Sequence, residues 1–168
     1  FASRSPEVED LTRCLNQVGI PVDDALVVKN KTNASLNTII DLLKVIDNYR
    51  QDVALASAMT GYFGGFGMDE MVEIRRIGEP LAPKTRLPHF YQYVLAVKDT
   101  DTPLGKKIKT FFDFVDKCRV AQASLSVGNL IKKIIYDSGF DSYVLLKEGG
   151  KREFEELTAF VKNLKGKS

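Results

Sequence analysis

The chain has 168 residues, enough for one ordinary globular domain or two small lobes, and 44% of them are hydrophobic. Its 24 lysines and arginines barely exceed its 22 aspartates and glutamates, so the net charge of +2 does not by itself indicate nucleic acid or an anionic membrane as a partner. Two cysteines and one histidine are too few for a zinc or iron site, and the sequence has no apolar run long enough to span a bilayer.

The cysteines, Cys14 and Cys118, each fall in an apolar helical pattern, so we interpret them as buried thiols rather than as a disulfide. No signal-peptide pattern is present. These features predict a cytoplasmic protein. Because the first residue is Phe1 rather than methionine, we expect the chain to be part of a longer one.

The N-terminal third alternates helix signals with one extended stretch. Ser5 and Pro6 predict a helix start, Gly19 predicts its end, and residues 25–29 are the one candidate strand. A second helix, with Asn33 as its cap, has apolar residues at helical spacing up to residue 46. Residues 52–59 predict a third, shorter helix.

A glycine-rich turn follows at residues 61–67, with four glycines in seven positions. Such a turn exposes backbone amides, and a helix begins directly after it, so an anion such as a nucleic-acid phosphate could bind there. The alternative interpretation is a sharp connection between two helices with no ligand. The helix predicted after the turn covers residues 68–77, with Met71, Val72 and Ile74 facing inward and Arg75 and Arg76 near the surface.

The second half continues with helices. Gly78 and three prolines predict an irregular linker over residues 78–88, after which helices are predicted from Phe90, from Thr102 and Pro103, from Ser126 and after Gly150. The pattern predicts a mainly α fold of about eight helices, with more than half of the chain helical and any strand confined mainly to residues 20–30.

The residues that ATP hydrolysis or metal binding would need are missing. The glycine turn is not followed by Lys-Ser or Lys-Thr, which an ATP-binding loop requires, so no ATP binding or hydrolysis is expected of this chain alone. His89 stands alone beside Pro88, which favours a packing or surface role. The acidic residues after the turn are interpreted as complementing the positive end of a helix. No catalytic residue, metal site or cofactor is therefore assigned.

Several motifs, read in order, resemble superfamily 1 DNA helicases of the UvrD and Rep type. Residues 1–5 and 19–22 are similar to the family's "R-S … L-x-x-x-G-I-P-V", and residues 40–48 and 51–55 are similar to "L-L-x-V-I-D-N-P-x-Q-D-I-A-L". Residues 65–67, followed by 69–70, 74–75 and 90–91, resemble more specifically the A subunit of the bacterial ATP-dependent helicase-nuclease, the AddA or RexA type. Residues 125–143 are similar to that subunit's "L-S-x-L-I-x-x-I-Y-x-x-T-G-Y-x-x-Y".

This resemblance implies a domain organisation. Residues 1–29, including Arg4 and Ser5 of the first motif, would form a small α/β edge of the second RecA-like motor domain. Residues 30–168 would form a multi-helix accessory subdomain of the 2B type. The ATP and Mg²⁺ sites and the nuclease domain would lie elsewhere in a longer bacterial, cytoplasmic protein, with this chain contributing duplex contact and domain orientation in double-strand-break repair.

The resemblance also implies a DNA site. In these helicases a helix-hairpin-helix-like "G-I-G" turn contacts the duplex backbone, and Gly64, Gly65, Phe66 and Gly67 occupy the corresponding place, with Arg75 and Arg76 as further contacts. Phe66 in the middle and the additional Gly64 depart from the family pattern. The implied partners are double-stranded DNA, the rest of the helicase chain and a nuclease partner subunit, with no membrane. The alternative is a helical interaction module that docks on a partner subunit or on the motor core.

Overall fold

The computed structural model describes residues 33–165, which form eight α-helices and contain no strand within that range. The predictions for the N-terminal helix, for the strand at 25–29, for the α/β piece with Arg4 and Ser5, and for Cys14 all lie outside the described residues. The helices are α1 (Ala34–Asp47), α2 (Asp52–Thr60), α3 (Met68–Leu81), α4 (Phe90–Lys98), α5 (Pro103–Gln122), α6 (Val127–Asp137), α7 (Phe140–Leu146) and α8 (Gly150–Lys165).

Helix α1 forms the centre of the fold. Eight of its fourteen residues are buried, and it packs against α2, α5 and α8. A helix with apolar residues on most of its faces needs such surroundings, because each face left in water would lose the free energy of apolar burial. The other helices pack largely as sequence neighbours, α3 on α4, α4 on α5, α5 on α6 and α6 on α7.

The predicted helix starts are confirmed at three positions. The side chains of Asn33, Thr102 and Ser126 accept hydrogen bonds from the backbone N–H groups of Leu36, Gly105 and Asn129, as N-caps do. Cys118 is a buried free thiol, as expected, and burial raises its pKa to about 11. That thiol is therefore protonated at neutral pH.

Two predictions for the middle of the chain are wrong. The linker predicted at residues 78–88 begins later, because α3 continues through Gly78 and Pro80 to Leu81. Gly78 is buried against the backbone of Tyr93 on α4. Pro80 is the second-last residue of α3, so the hydrogen bond that its missing N–H removes comes only just before the helix ends. Val72, predicted to face inward, is 66% exposed. The short helix α7 was not predicted at all.

A polar cluster joins the start of α1 to the start of α8. The buried Asn33 donates through Nδ2 to the backbone oxygen of Glu153 at 3.0 Å and to Oε1 of Glu156 at 2.9 Å. Ser35 donates from Oγ to Oε1 of Glu153 at 2.6 Å, and Lys147 lies 3.0 Å from the same oxygen. Burial alone would raise the pKa of Glu153, but the hydrogen bonds from Ser35 and Lys147 together outweigh burial, so the pKa is lowered. These contacts fix two helices that are more than a hundred residues apart in sequence.

Asp41 on α1 is a less favourable feature, since burial raises its pKa from 3.8 to about 6 despite the attraction of Lys44. A carboxyl whose pKa is raised by folding costs nothing below pH 4, because it is neutral in both the folded and the unfolded state. As the pH rises through 6 the group becomes charged in the folded protein, and the free energy of unfolding falls.

We expect Asp41→Asn to raise the free energy of unfolding at pH 7 by about 1–2 kcal/mol, less than the full shift implies because water reaches part of the group. Urea denaturation at several pH values measures this, and the gain should disappear near pH 4. A gain of equal size at both pH values would show that the Asp41 charge is not its cause.

Within residues 33–165, the longest helices are too polar and the apolar ones too short for any of them to cross a membrane.

Candidate functional site

The glycine turn connects α2 to α3 and is fastened to α2 by its own backbone. The N–H of Gly65 donates to the oxygen of Gly61 at 2.9 Å, and the N–H of Phe66 donates to the oxygen of Met59 at 2.8 Å. A Cβ atom on Gly64 would lie 2.2 Å from that same oxygen of Met59, far inside van der Waals contact. A side chain at position 64 is therefore incompatible with this turn.

The residue in the middle of the proposed contact motif belongs to the core. Phe66 is only 3% exposed, and its ring packs edge-on against Phe111 of α5 at a centroid distance of 6.3 Å. Its side chain has no surface to offer a ligand. Gly65 is exposed, with a φ of +67° and no atom within 4 Å of the position that a Cβ would take. Glycine suits it because other residues rarely adopt this conformation.

The expectation that the amides of this turn are bare is wrong for three of them. That of Gly65 bonds within the turn to Gly61, that of Phe66 bonds to Met59 of α2, and the N–H of Gly67 donates to Oε1 of Glu70 at 2.9 Å. The first hydrogen bond within α3 runs from Met71 to the oxygen of Gly67, so the amides of Met68, Asp69 and Glu70 precede the helical ladder. Any phosphate contact by the backbone would use these three amides rather than those of residues 65–67.

Lys107 on α5 completes the site from across the fold. Its Nζ donates to the backbone oxygen of Gly65 at 3.0 Å and to Oε1 of Glu70 at 2.7 Å, and it lies 4.7 Å from the ring centroid of Phe66. The hydrogen bonds that Glu70 accepts from Lys107 and from the Gly67 backbone lower the pKa of its carboxyl. The ammonium group thus stabilises the turn and brings a positive charge beside it.

The paired arginines lie on α3, and both are largely exposed, with side chains 71% and 70% accessible. Arg75 approaches Glu79 only to 3.9 Å, a loose ion pair. Arg76 donates to both carboxylate oxygens of Glu73, one of them at 3.1 Å from its Nη2. The hydrogen bond from Arg76 lowers the pKa of Glu73. Arg75 is therefore the more available of the two guanidinium groups.

The structure brings the turn residues and Lys107 together, and it places the arginines two turns along α3, about 12 Å from Gly67 along the helix axis. Lys107 is not among the site residues that the sequence predicts. The contact of Lys107 with residue 65 spans 42 positions, and no local pattern predicts it. Among residues 33–165 no cluster of three or more His, Cys, Asp or Glu side chains could hold a metal ion.

No protein-family model matches the chain. Among curated proteins, it is 31% identical over 155 residues to the A subunit of the ATP-dependent helicase/nuclease of Bacillus velezensis, a match that covers 90% of the chain and 12% of that protein. The corresponding protein of Bacillus licheniformis is 33% identical over 146 residues, covering 85% of the chain and 11% of that protein. The corresponding protein of Syntrophomonas wolfei is 27% identical over 136 residues, a match that covers 81% of the chain and 11% of that protein.

These matches show distant homology to the A subunit of ATP-dependent helicase/nucleases over most of the chain. The chain spans roughly a tenth of the length of these relatives, as the shares of 11% and 12% state.

Proposed function

We propose that this chain corresponds to the helical accessory region in the A subunit of an ATP-dependent DNA helicase/nuclease, where it contacts the backbone of duplex DNA and helps to orient the motor. The homology over 81–90% of the chain carries this proposal. In the same proposal, residues 30–168 form the 2B-like subdomain and residues 1–29 the edge of the second motor domain. ATP, Mg²⁺ and a nuclease partner subunit belong to the longer protein, which acts in the repair and recombination of DNA breaks.

The surface around the glycine turn supports a contact to DNA backbone rather than to bases. Gly65 has no atom within 4 Å of the position that a Cβ would take, the amides of residues 68–70 begin a helix, and Arg75 offers a weakly paired guanidinium group. Amides and guanidinium groups bind phosphate oxygens without reading sequence.

The charges of α3 set a limit on the strength of this contact. The helix carries four carboxylates, on Asp69, Glu70, Glu73 and Glu79, and two guanidinium groups. A phosphate must therefore compete with Glu73 for Arg76 and with Glu70 for Lys107. We expect binding that is weak, sensitive to salt and indifferent to base sequence.

Replacing Arg75 and Arg76 together by alanine should weaken duplex binding and make its dependence on salt concentration shallower, by roughly one unit of slope for each phosphate that is no longer bound. Stability should be nearly unchanged, because both side chains are exposed. Fluorescence anisotropy of a labelled duplex, titrated with the chain at several salt concentrations, measures both the affinity and the slope.

The matched control is Lys151→Ala with Lys162→Ala, which removes two exposed positive charges from α8. If both double variants reduce the affinity equally, the effect comes from net charge alone. If the arginine variant binds like the unmodified chain throughout the titration, Arg75 and Arg76 are a solvated face and do not contact DNA.

A further inference from the structure

A groove of about 730 Å³ lies beside the glycine turn, between the turn, α5 and α6. Its floor is apolar and is formed mainly by Phe63, Phe111, Phe114, Ala121, Leu130 and Ile134. Lys107 and Lys117 on α5 and Lys133 on α6 stand at its rim, with Asp137 as the single carboxylate among the lining residues. A cavity of this size and lining is typical of a site for an apolar ligand with a few fixed polar contacts.

The aromatic rings of the groove already pack against one another. Phe63 stacks on Phe114 at a centroid distance of 5.7 Å with nearly parallel planes, and it also contacts Tyr62 and Phe140 at 5.3 and 5.2 Å. The Tyr62 hydroxyl donates to the backbone oxygen of Ser138 at 2.6 Å. A nucleic-acid base needs an open ring face to stack on, whereas each of these rings already contacts another ring and Phe111 is only 4% exposed. The floor therefore suits aliphatic or aromatic side chains that insert between the helices.

The spacing and charge of the lysines indicate what size and charge of ligand the groove would fit. Lys107 and Lys117 are ten residues apart on α5, which places them about 15 Å apart along the helix axis. Lys107 pairs with Glu70 and Lys133 with Asp137, whereas Lys117 forms no ion pair with any residue in the range 33–165. The rim thus has a surplus of positive charge with Lys117 the most available, and the span matches two to three turns of a helix.

We propose that this groove docks an acidic, amphipathic helical segment of another polypeptide, with apolar side chains on the floor and carboxylates on Lys117 and its neighbours. Charge complementarity selects the partner, and the apolar floor supplies the contact area, as in other complexes that seat a helix in a groove. The inference goes beyond duplex contact: the groove shares Gly64 and Lys107 with the candidate DNA site, but Lys117 and Thr110, through which it is tested, belong to the groove alone.

The test uses a fluorescein-labelled synthetic peptide helix with leucines on one face and glutamates on the other, titrated with the full chain in an anisotropy assay. Two companion peptides carry lysines in place of the glutamates or alanines in place of the leucines. We expect binding of the acidic leucine peptide only. Lys117→Glu should weaken it about fivefold, the effect expected for one exposed ion pair, and Lys162→Glu on α8 is the control with the same charge change.

Two further measurements make the result decisive. Thr110→Trp should block the groove and abolish binding, since Thr110 is an exposed lining residue whose hydroxyl bonds only to Lys106 of its own helix. Arg75→Ala with Arg76→Ala should leave peptide binding unchanged, which separates this proposal from duplex contact. The proposal is overturned if the acidic peptide does not bind, or if Lys117→Glu and Lys162→Glu change its affinity equally. It is also overturned if an oligothymidylate binds instead of the peptide and the Thr110→Trp variant no longer binds that oligothymidylate.

Discussion

Phe140→Ala should lower the free energy of unfolding by about 3–5 kcal/mol, the cost usual for removing a fully buried phenylalanine. Phe140 has no exposed surface, and its ring lies 5.3 Å from Tyr62, 5.2 Å from Phe63 and 5.8 Å from Tyr143, measured between centroids. The substitution removes one of the two rings of α7 that contact the glycine turn, the other being Tyr143, whose ring centroid lies 4.6 Å from that of Tyr62. The surrounding rings are too large and too constrained to close the cavity fully.

Urea denaturation followed by far-UV circular dichroism measures this loss. Leu146→Ala is the matched control, because Leu146 lies on the same helix and is 87% exposed, so that its loss should cost no more than about 0.5 kcal/mol. A Phe140→Ala variant as stable as Leu146→Ala would mean that α7 does not pack against the turn in solution.

The helices could be predicted where their signals are local. A cap such as Asn33 or Ser126 acts within three residues, and the spacing of apolar residues in α1, α5 and α8 is repeated over three or more turns. Helix α7 escaped prediction because seven residues give only two inward positions, Phe140 and Val144, too few to establish a period. Pro80 led to the opposite error, a helix predicted to end too early, because the effect of a proline depends on its position in the helix.

The contacts that join helices distant in sequence are of another kind. Asp52 accepts hydrogen bonds from the N–H groups of Phe90 and Tyr91 at 2.8 and 3.1 Å, and so caps α4 from 38 and 39 residues away. Arg119 donates to the backbone oxygen of Ile46, 73 residues away, at the end of α1. The glycine turn could be located from composition, but which of its amides bond internally depends on how α2 and α3 meet. Sequence spacing carries no information about that geometry.

The glycines of the turn should respond to alanine in a graded way. Gly64→Ala places a methyl group 2.2 Å from the oxygen and 2.5 Å from the Cα of Met59, and since both are backbone atoms we expect a loss of about 3 kcal/mol. Gly65→Ala has free space but requires a φ of +67°, which costs about 1–2 kcal/mol. Gly67→Ala meets only Oε1 of Glu70 at 3.9 Å, with a φ of −81°, so its cost should stay within about 1 kcal/mol.

Urea midpoints of the three variants measure the gradient, and equal losses at positions 64 and 67 would contradict the geometry of the turn.

The order of these stability losses also determines which variant can test the proposed DNA contact. Gly64 and Gly65 are required by the fold itself, so weaker duplex binding in those variants would not separate a contact from a deformed turn. Gly67→Ala keeps the turn and adds a methyl group next to the amide of Met68. Weaker duplex binding by this variant at unchanged stability is therefore the result expected if phosphates approach the start of α3, and unchanged binding would place the contact elsewhere.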